Sequence, residues 1–235
     1  MVCADDFAFI HLPKTGGSFV QHHLLEVFPD AIHDPANRHG TRAELPRKHR
    51  RPQVVGCLRN PFDWYVSHYE FHWWRRYPQD FPGIISHRHW PQLGFADFVR
   101  LAGAPGAVFA ANARGRREPR GIGAMTVAMV TWFGADPERF FTAKATLDGF
   151  QEQLAGVHFL HTDRLSNDLA EFLLARGVAE EKVEQIRGAA PLRPPNPTPH
   201  DRRHRDWRRY YTPALLLHVR CLDRWIFDTF PEFDA

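Results

Sequence analysis

Residues 7–20 read FAFIHLPKTGGSFV. Phe7 to His11 make an apolar run of strand length, Leu12 to Gly17 carry a proline and two glycines, and a helical pattern begins near Ser18. A strand that turns through glycine into a helix builds an anion site. The first turn of such a helix has N–H groups without intrahelical partners, and the helix dipole favours negative charge there. Gly16 and Gly17 let the backbone approach a phosphate closely. Lys14 adds a cation on a flexible stem, and Thr15 and Ser18 add hydroxyl donors. The stretch therefore predicts a phosphate cradle, although an ordinary β–α turn would use the same glycines for geometry alone. It is not a Walker A loop, which places its Lys after the last Gly; here Lys14 precedes both, so a magnesium-dependent NTP hydrolase is not implied.

Working outward, Ser18 to Phe28 is expected as the first helix, with Val20, Leu24 and Val27 near one face. Val54 to Leu58 (VVGCL) is a continuous apolar run, the pattern of a parallel strand covered on both faces. Pro61 then suits the first position of a helix running from about Phe62 to Arg76. Further helices are expected at Arg42 to Leu45, Phe95 to Leu101, Ala124 to Phe133 and Ala143 to Leu154. A strand is expected at Val157 to His161, then a helix to Ala175 capped by Asp163 or Ser166. The last helix is signalled by Thr212 as cap, Pro213 behind it, and Leu215, Val219, Leu222 and Ile226 on one face. Strand–helix alternation implies an α/β fold, a single domain over residues 1–235 with a central parallel sheet flanked by helices. Residues 77–123 are irregular and read as an insertion, a lid or binding loop.

Charge and cysteine usage narrow the class. The net charge is only +3, yet Lys occurs only at Lys14, Lys48, Lys144 and Lys182, so the positive charge is mostly Arg, which suits bidentate oxyanion recognition. Cys3, Cys57 and Cys221 are odd in number and far apart, which argues against a disulfide framework and for a reducing, cytoplasmic setting. No leader pattern and no run of membrane-span length is expected. Basic patches at Arg47 to Arg51, Arg114 to Arg120 and Arg202 to Arg209 come without a nucleic-acid motif, so no nucleic acid is expected as partner. His87 and His89 are a weak metal signal without Cys or carboxylate neighbours. His22, His23, His68 and His72 fall on helices and read as surface or packing residues.

The second informative stretch is residues 57–72, CLRNPFDWYVSHYEFH. Arg59 lies at the carboxyl end of a buried strand, where open α/β sheets bind ligands. Ser67 follows eight residues later, about two helical turns on, within reach of the same phosphate at 1.5 Å per residue. Together, HLPKTGGS (residues 11–18) and LRNPFDWYVS (residues 58–67) resemble the two donor-binding elements of sulfotransferases that use 3′-phosphoadenosine 5′-phosphosulfate (PAPS). The closest likeness is to the carbohydrate-type branch and its bacterial relatives. Weaker similarity, in the expected order, runs through residues 95–98, 143–162, 163–173 and 210–213; apart from 95–98, residues 77–123 have no counterpart in that resemblance.

The resemblance implies a P-loop-like three-layer fold and transfer of the sulfuryl group to a hydroxyl or amine of a carbohydrate or small-molecule acceptor. Lys14, Thr15, Gly16, Gly17 and Ser18 would hold the 5′-phosphosulfate, and Arg59 and Ser67 the 3′-phosphate. Lys14 would stabilise the leaving phosphate, and no metal is required. Thr198, in a loop before the last helix, would be a further 3′-phosphate contact with a neighbouring Arg. The family's base lies between the two elements, which makes His39 the first candidate, ahead of His33 and Glu44. The competing classes are a P-loop-type nucleotide kinase, which needs a Walker Lys and a magnesium ligand, and a non-catalytic binder of nucleotide or sulfated glycan.

Overall fold

A computed structural model describes residues 1–46, 53–76, 90–102, 121–143, 145–190 and 206–234. In chain order its elements begin with β1 (Val2–Cys3), β2 (Phe7–Ile10), α1 (Gly17–Val27), β3 (Ile32–His33), β4 (Gln53–Leu58) and α2 (Pro61–Phe71). They continue with α3 (Trp73–Arg76), α4 (Phe95–Ala102), α5 (Ala124–Phe133), α6 (Pro137–Thr142), α7 (Leu147–Leu154) and β5 (Val157–His161). Last come α8 (Leu165–Leu174), α9 (Glu180–Arg187), α10 (Pro213–Leu222) and α11 (Arg224–Thr229). Short 3-10 turns lie at Arg42–Glu44, Thr162–Arg164, Trp207–Tyr210 and Pro231–Asp234.

The chain is α/β, with a five-stranded mixed sheet in the order β3-β1-β2-β4-β5. The expected parallel sheet is present for β2, β4 and β5, which run parallel with Phe9 opposite Val55 and Val55 opposite His158. The correction is at the other edge, where β1 pairs antiparallel with both β2 and β3. Two-residue strands have too few positions to show a period of two, so neither β1 nor β3 was legible.

The chain folds into two compact units. The first comprises Met1–Arg59 and Ala155–Pro197, and contains the whole sheet. Alternate strand residues Phe7, Phe9, Val55, Cys57 and Leu160 present one face of the sheet, because strand side chains alternate. They pack with Val20 and Leu24 of α1, Leu169 and Leu173 of α8, and Val183 and Ile186 of α9. Phe7 meets Phe28 and Phe172 edge-on at 5.3 and 5.2 Å. Each fully buried side chain of this size is worth about 1.5–3 kcal/mol.

The second unit comprises Asn60–Leu154 and Thr198–Ala235. Asn60 caps α2 by accepting from the Phe62 N–H at 2.9 Å, and Pro61 takes the first helical position, as expected. The helix is shorter than its pattern: His72, at φ 54°, turns left-handed and separates α2 from α3. Every residue of α5 is buried. Three other expectations shift. The helix assigned to residues 143–154 starts at Leu147, behind a separate α6 capped by Asp136. Asp163 sits inside a 3-10 turn and Ser166 inside α8, so neither caps it. The last helix is capped by Thr212 as expected but breaks at Asp223 into α10 and α11.

Candidate functional site

The site is built on the loop that joins β2 to α1. Gly16 is its hinge, at φ 88° in the left-handed region, and serves as N-cap of α1 without any side-chain cap. Gly17 is required for a different reason: a Cβ there would lie 2.2 Å from Cδ2 of the His11 ring. The N–H groups of Thr15, Gly16, Gly17 and Ser18 donate to no acceptor among the described residues. Four backbone donors, the positive end of α1 and two glycines are therefore gathered over one short arc.

Lys14 stands at the start of that arc at φ 67°, a left-handed conformation that costs a side-chain-bearing residue free energy. Burial, aided by the Arg59 guanidinium, pushes its ammonium down to about 8. Arg59, just past the end of β4, donates from Nη1 to the Lys14 carbonyl at 2.8 Å. From the end of β5, the Thr162 hydroxyl lies 2.9 Å from the carbonyls of both Thr15 and Leu58 and shares its single proton between them. The carboxyl ends of all three parallel strands thus converge on the loop, as expected for a ligand crevice of an open α/β sheet.

Thr15 takes a different role from the one expected. It is fully buried, and its hydroxyl donates to the Leu12 carbonyl at 2.8 Å. Its side chain closes the turn and has no proton left for a ligand; only its backbone N–H faces that task. Ser18 is exposed, and its hydroxyl accepts from Arg38 Nη2.

The segment after β3 supplies the next layer. His39 Nδ1 lies 2.9 Å from the His11 carbonyl. A carbonyl can only accept, so Nδ1 carries the proton and Nε2 is the basic nitrogen of the neutral ring. His39 has much exposed surface, yet one side of its ring rests on the His11 ring, centroids 4.5 Å apart. That one-sided burial, first among the causes, holds its pKa below the ordinary histidine value. Of the other two candidate bases, His33 pairs with Gln21 in a half-buried position on β3. Glu44 is committed to a capping box, accepting from the Thr41 N–H at 2.6 Å and hydroxyl at 2.9 Å.

Three residues that sequence reasoning did not single out belong to this site: His11, Arg38 and Thr162. His11 lay within the quoted motif, and Arg38 immediately precedes the expected base, but their roles depend on contacts across 20 or more positions. Ser67 lies half-buried on α2. Thr198, His87, His89, Arg202, Arg203, Arg205 and the patches at Arg47 to Arg51 and Arg114 to Arg120 fall outside the described residues, as does most of 77–123. Among the described residues, His22, His23 and Glu26 of α1 bring three potential metal ligands within 4.8 Å of one another, with Lys182 Nζ 3.8 Å from Glu26. Cys3, Cys57 and Cys221 are free thiols, and burial pushes Cys57 well above the usual thiol range, which removes it as a nucleophile.

The fold and site define an α/β chain in which a strand–loop–helix turn gathers four backbone N–H groups that have no acceptor among the described residues. Comparisons with protein-family models, curated proteins and solved structures return no match. No helix among the described residues is long and apolar enough to cross a membrane.

Proposed function

We propose that the chain is a PAPS-dependent sulfotransferase with a P-loop-like fold, acting on a hydroxyl or amine of a carbohydrate or small-molecule acceptor. The observation that carries the reading is the arc of four N–H groups from Thr15 to Ser18, begun by Lys14 and braced by Arg59. Sulfuryl transfer is an in-line displacement that needs a clamp on the donor, charge stabilisation on the leaving phosphate and a base for the acceptor proton. The N–H arc would clamp the 5′-phosphosulfate. Lys14, with its pKa brought to about 8, would give a short hydrogen bond to the bridging oxygen as the S–O bond breaks. His39, neutral near pH 7 and basic at Nε2, would take the acceptor proton. Arg59 would hold the 3′-phosphate that distinguishes this donor from ATP.

The test is calorimetry with adenosine 3′,5′-bisphosphate (PAP) against ADP, each with and without magnesium, followed by transfer of labelled sulfate from PAPS to a panel of phenols, sugars and glycolipids. Tighter binding of PAP, independent of magnesium, is expected. A preference for ADP with magnesium would replace the reading by a nucleotide kinase.

A further inference from the structure

Among the described residues, the Arg38 guanidinium contacts only neutral groups. Its Nη2 donates to the Ser18 hydroxyl at the first turn of α1, and its Nε donates to His11 Nδ1 at 3.3 Å. It pairs with no carboxylate among the described residues, and it is half-buried. His11 cannot balance it. That imidazole is 5% exposed and is pushed down to about 2 by burial, then by His39 and Arg38, so it stays uncharged and offers Nδ1 as an acceptor. A guanidinium partly removed from water and set only against a hydroxyl and a neutral ring is short of a counter-ion.

Its position says which counter-ion fits. Arg59 holds the Lys14 end of the arc, and Arg38 holds the Ser18 end. The two are fixed by different segments, and the N–H groups of Thr15 to Ser18 lie between them. A single phosphate can be satisfied by the arc and Lys14. A second anionic group linked to the first would extend past it, and the planar fork of Arg38 has Nη1 still to offer.

We propose that Arg38 is a specificity-determining residue that pairs with the second, terminal oxyanion of a diphosphate- or phosphosulfate-type ligand seated on the loop, exchanging the Ser18 hydroxyl for that anion. In the function proposed above, on which only the ligand's identity rests, this group is the sulfuryl of PAPS. His11 acts as a positioning residue, presetting the guanidinium from beneath.

The experiment uses the full chain with inorganic pyrophosphate and inorganic phosphate as probes, by calorimetry at several salt concentrations, on wild type, Arg38→Gln and Arg38→Lys. Gln keeps hydrogen-bonding capacity toward Ser18 and His11 while removing the charge, and thermal melting checks its fold. Wild type is expected to bind pyrophosphate more tightly than phosphate. Arg38→Gln should lose about tenfold on pyrophosphate, the scale of one charge-assisted pair, with little loss on phosphate and a shallower salt dependence. Arg38→Lys should recover part of the loss. Pyrophosphate affinity within twofold of wild type in a folded Arg38→Gln overturns the inference, and so does a wild-type protein that fails to prefer pyrophosphate. A chain that shows the expected pyrophosphate pattern yet neither prefers PAP to ADP nor transfers sulfate keeps the inference and overturns the sulfotransferase.

Discussion

Lys14 carries two local costs at once, a left-handed backbone and a half-buried ammonium. In the folded chain it loses its proton at about 8, against the ordinary 10.5. The half-buried charge therefore costs stability at neutral pH. That cost fades as pH climbs from 8 to 10.5, above which the side chain is neutral in folded and unfolded chains alike. Lys14→Gly removes both costs. It should raise the unfolding free energy by about 1 kcal/mol or more at pH 7, with the gain shrinking above pH 8, as read by denaturant unfolding. Turnover should nevertheless collapse, with kcat falling more than PAP affinity, because the contact to the leaving oxygen strengthens as the bond breaks. An unchanged kcat would remove Lys14 from the mechanism. His39 gives the second residue-level prediction. With a pKa held below the ordinary value of 6.5, the acid limb of the rate profile should fall below pH 6.5. His39→Ala should cut sulfuryl transfer by about 100-fold or more, abolish that limb and leave PAP affinity nearly unchanged. Retained turnover with the limb intact would pass the base role to His33. The placement of Lys14, Gly16 and Gly17 on one loop, and of Arg59 at the carboxyl end of a strand, was legible in sequence because each follows from local order; the Arg59 contact to the Lys14 carbonyl, 45 positions away, was not. Arg38 and Thr162 were not, because they act on partners 20 and 147 positions away. Thr15 shows the opposite limit: its residue type read as a donor, and its burial turned the hydroxyl inward.

At the level of elements, what the periodicity could not show is a helix start capped from outside. α5 begins at Gly123 without a side chain of its own to satisfy its first turn. Asp223, fully buried at the break between α10 and α11, supplies the cap. It accepts from the Thr126 N–H and hydroxyl, each at 2.8 Å, and from the Tyr65 hydroxyl at 2.7 Å, while that Tyr65 oxygen accepts from the Ala124 N–H at 3.0 Å. Gly123 must be glycine here, since a Cβ would meet the Asp223 carboxyl at 2.1 Å. The pattern Leu215, Val219, Leu222, Ile226 read as one helix because an apolar stripe does not register a carboxylate drawn inward. Burial pushes the Asp223 carboxyl up even against its three donors. The folded chain therefore holds this proton more tightly than the unfolded one, and the stability that gives is lost as pH rises from 3.8 through the folded pKa. Asp223→Ala strands several buried donors and should cost about 3 kcal/mol or more. Tyr65→Phe, which removes one bridge, should cost about 1–2 kcal/mol. Measured unfolding free energies within about 0.5 kcal/mol of wild type for Asp223→Ala would show that this cap is dispensable.

For the whole molecule, the class was legible and the sheet only in part. Continuous apolar runs at β2 and β4, with the strand expected at residues 157–161, gave the parallel core of an α/β fold, whereas the antiparallel edge of β1 and β3 rests on four residues without a pattern. The consequence is that the site's donors come from separate stretches of chain, at positions 11–18, 38–39, 59 and 162, which meet only when the sheet is formed. A ligand held by all of them binds the folded chain alone and must stabilise it by mass action. PAP at about 100 times its Kd should raise the unfolding free energy by about 2.7 kcal/mol, and ADP at the same concentration by much less. In the proposed function Arg59 would make that difference, and it also braces the Lys14 carbonyl. Arg59→Ala should therefore weaken both ligands through the loosened loop, and weaken PAP further through the lost 3′-phosphate contact, so that the stabilisation gap between PAP and ADP closes. An equal loss for the two ligands, with the gap preserved, would leave Arg59 as a brace of the loop alone and move recognition of the 3′-phosphate to another residue.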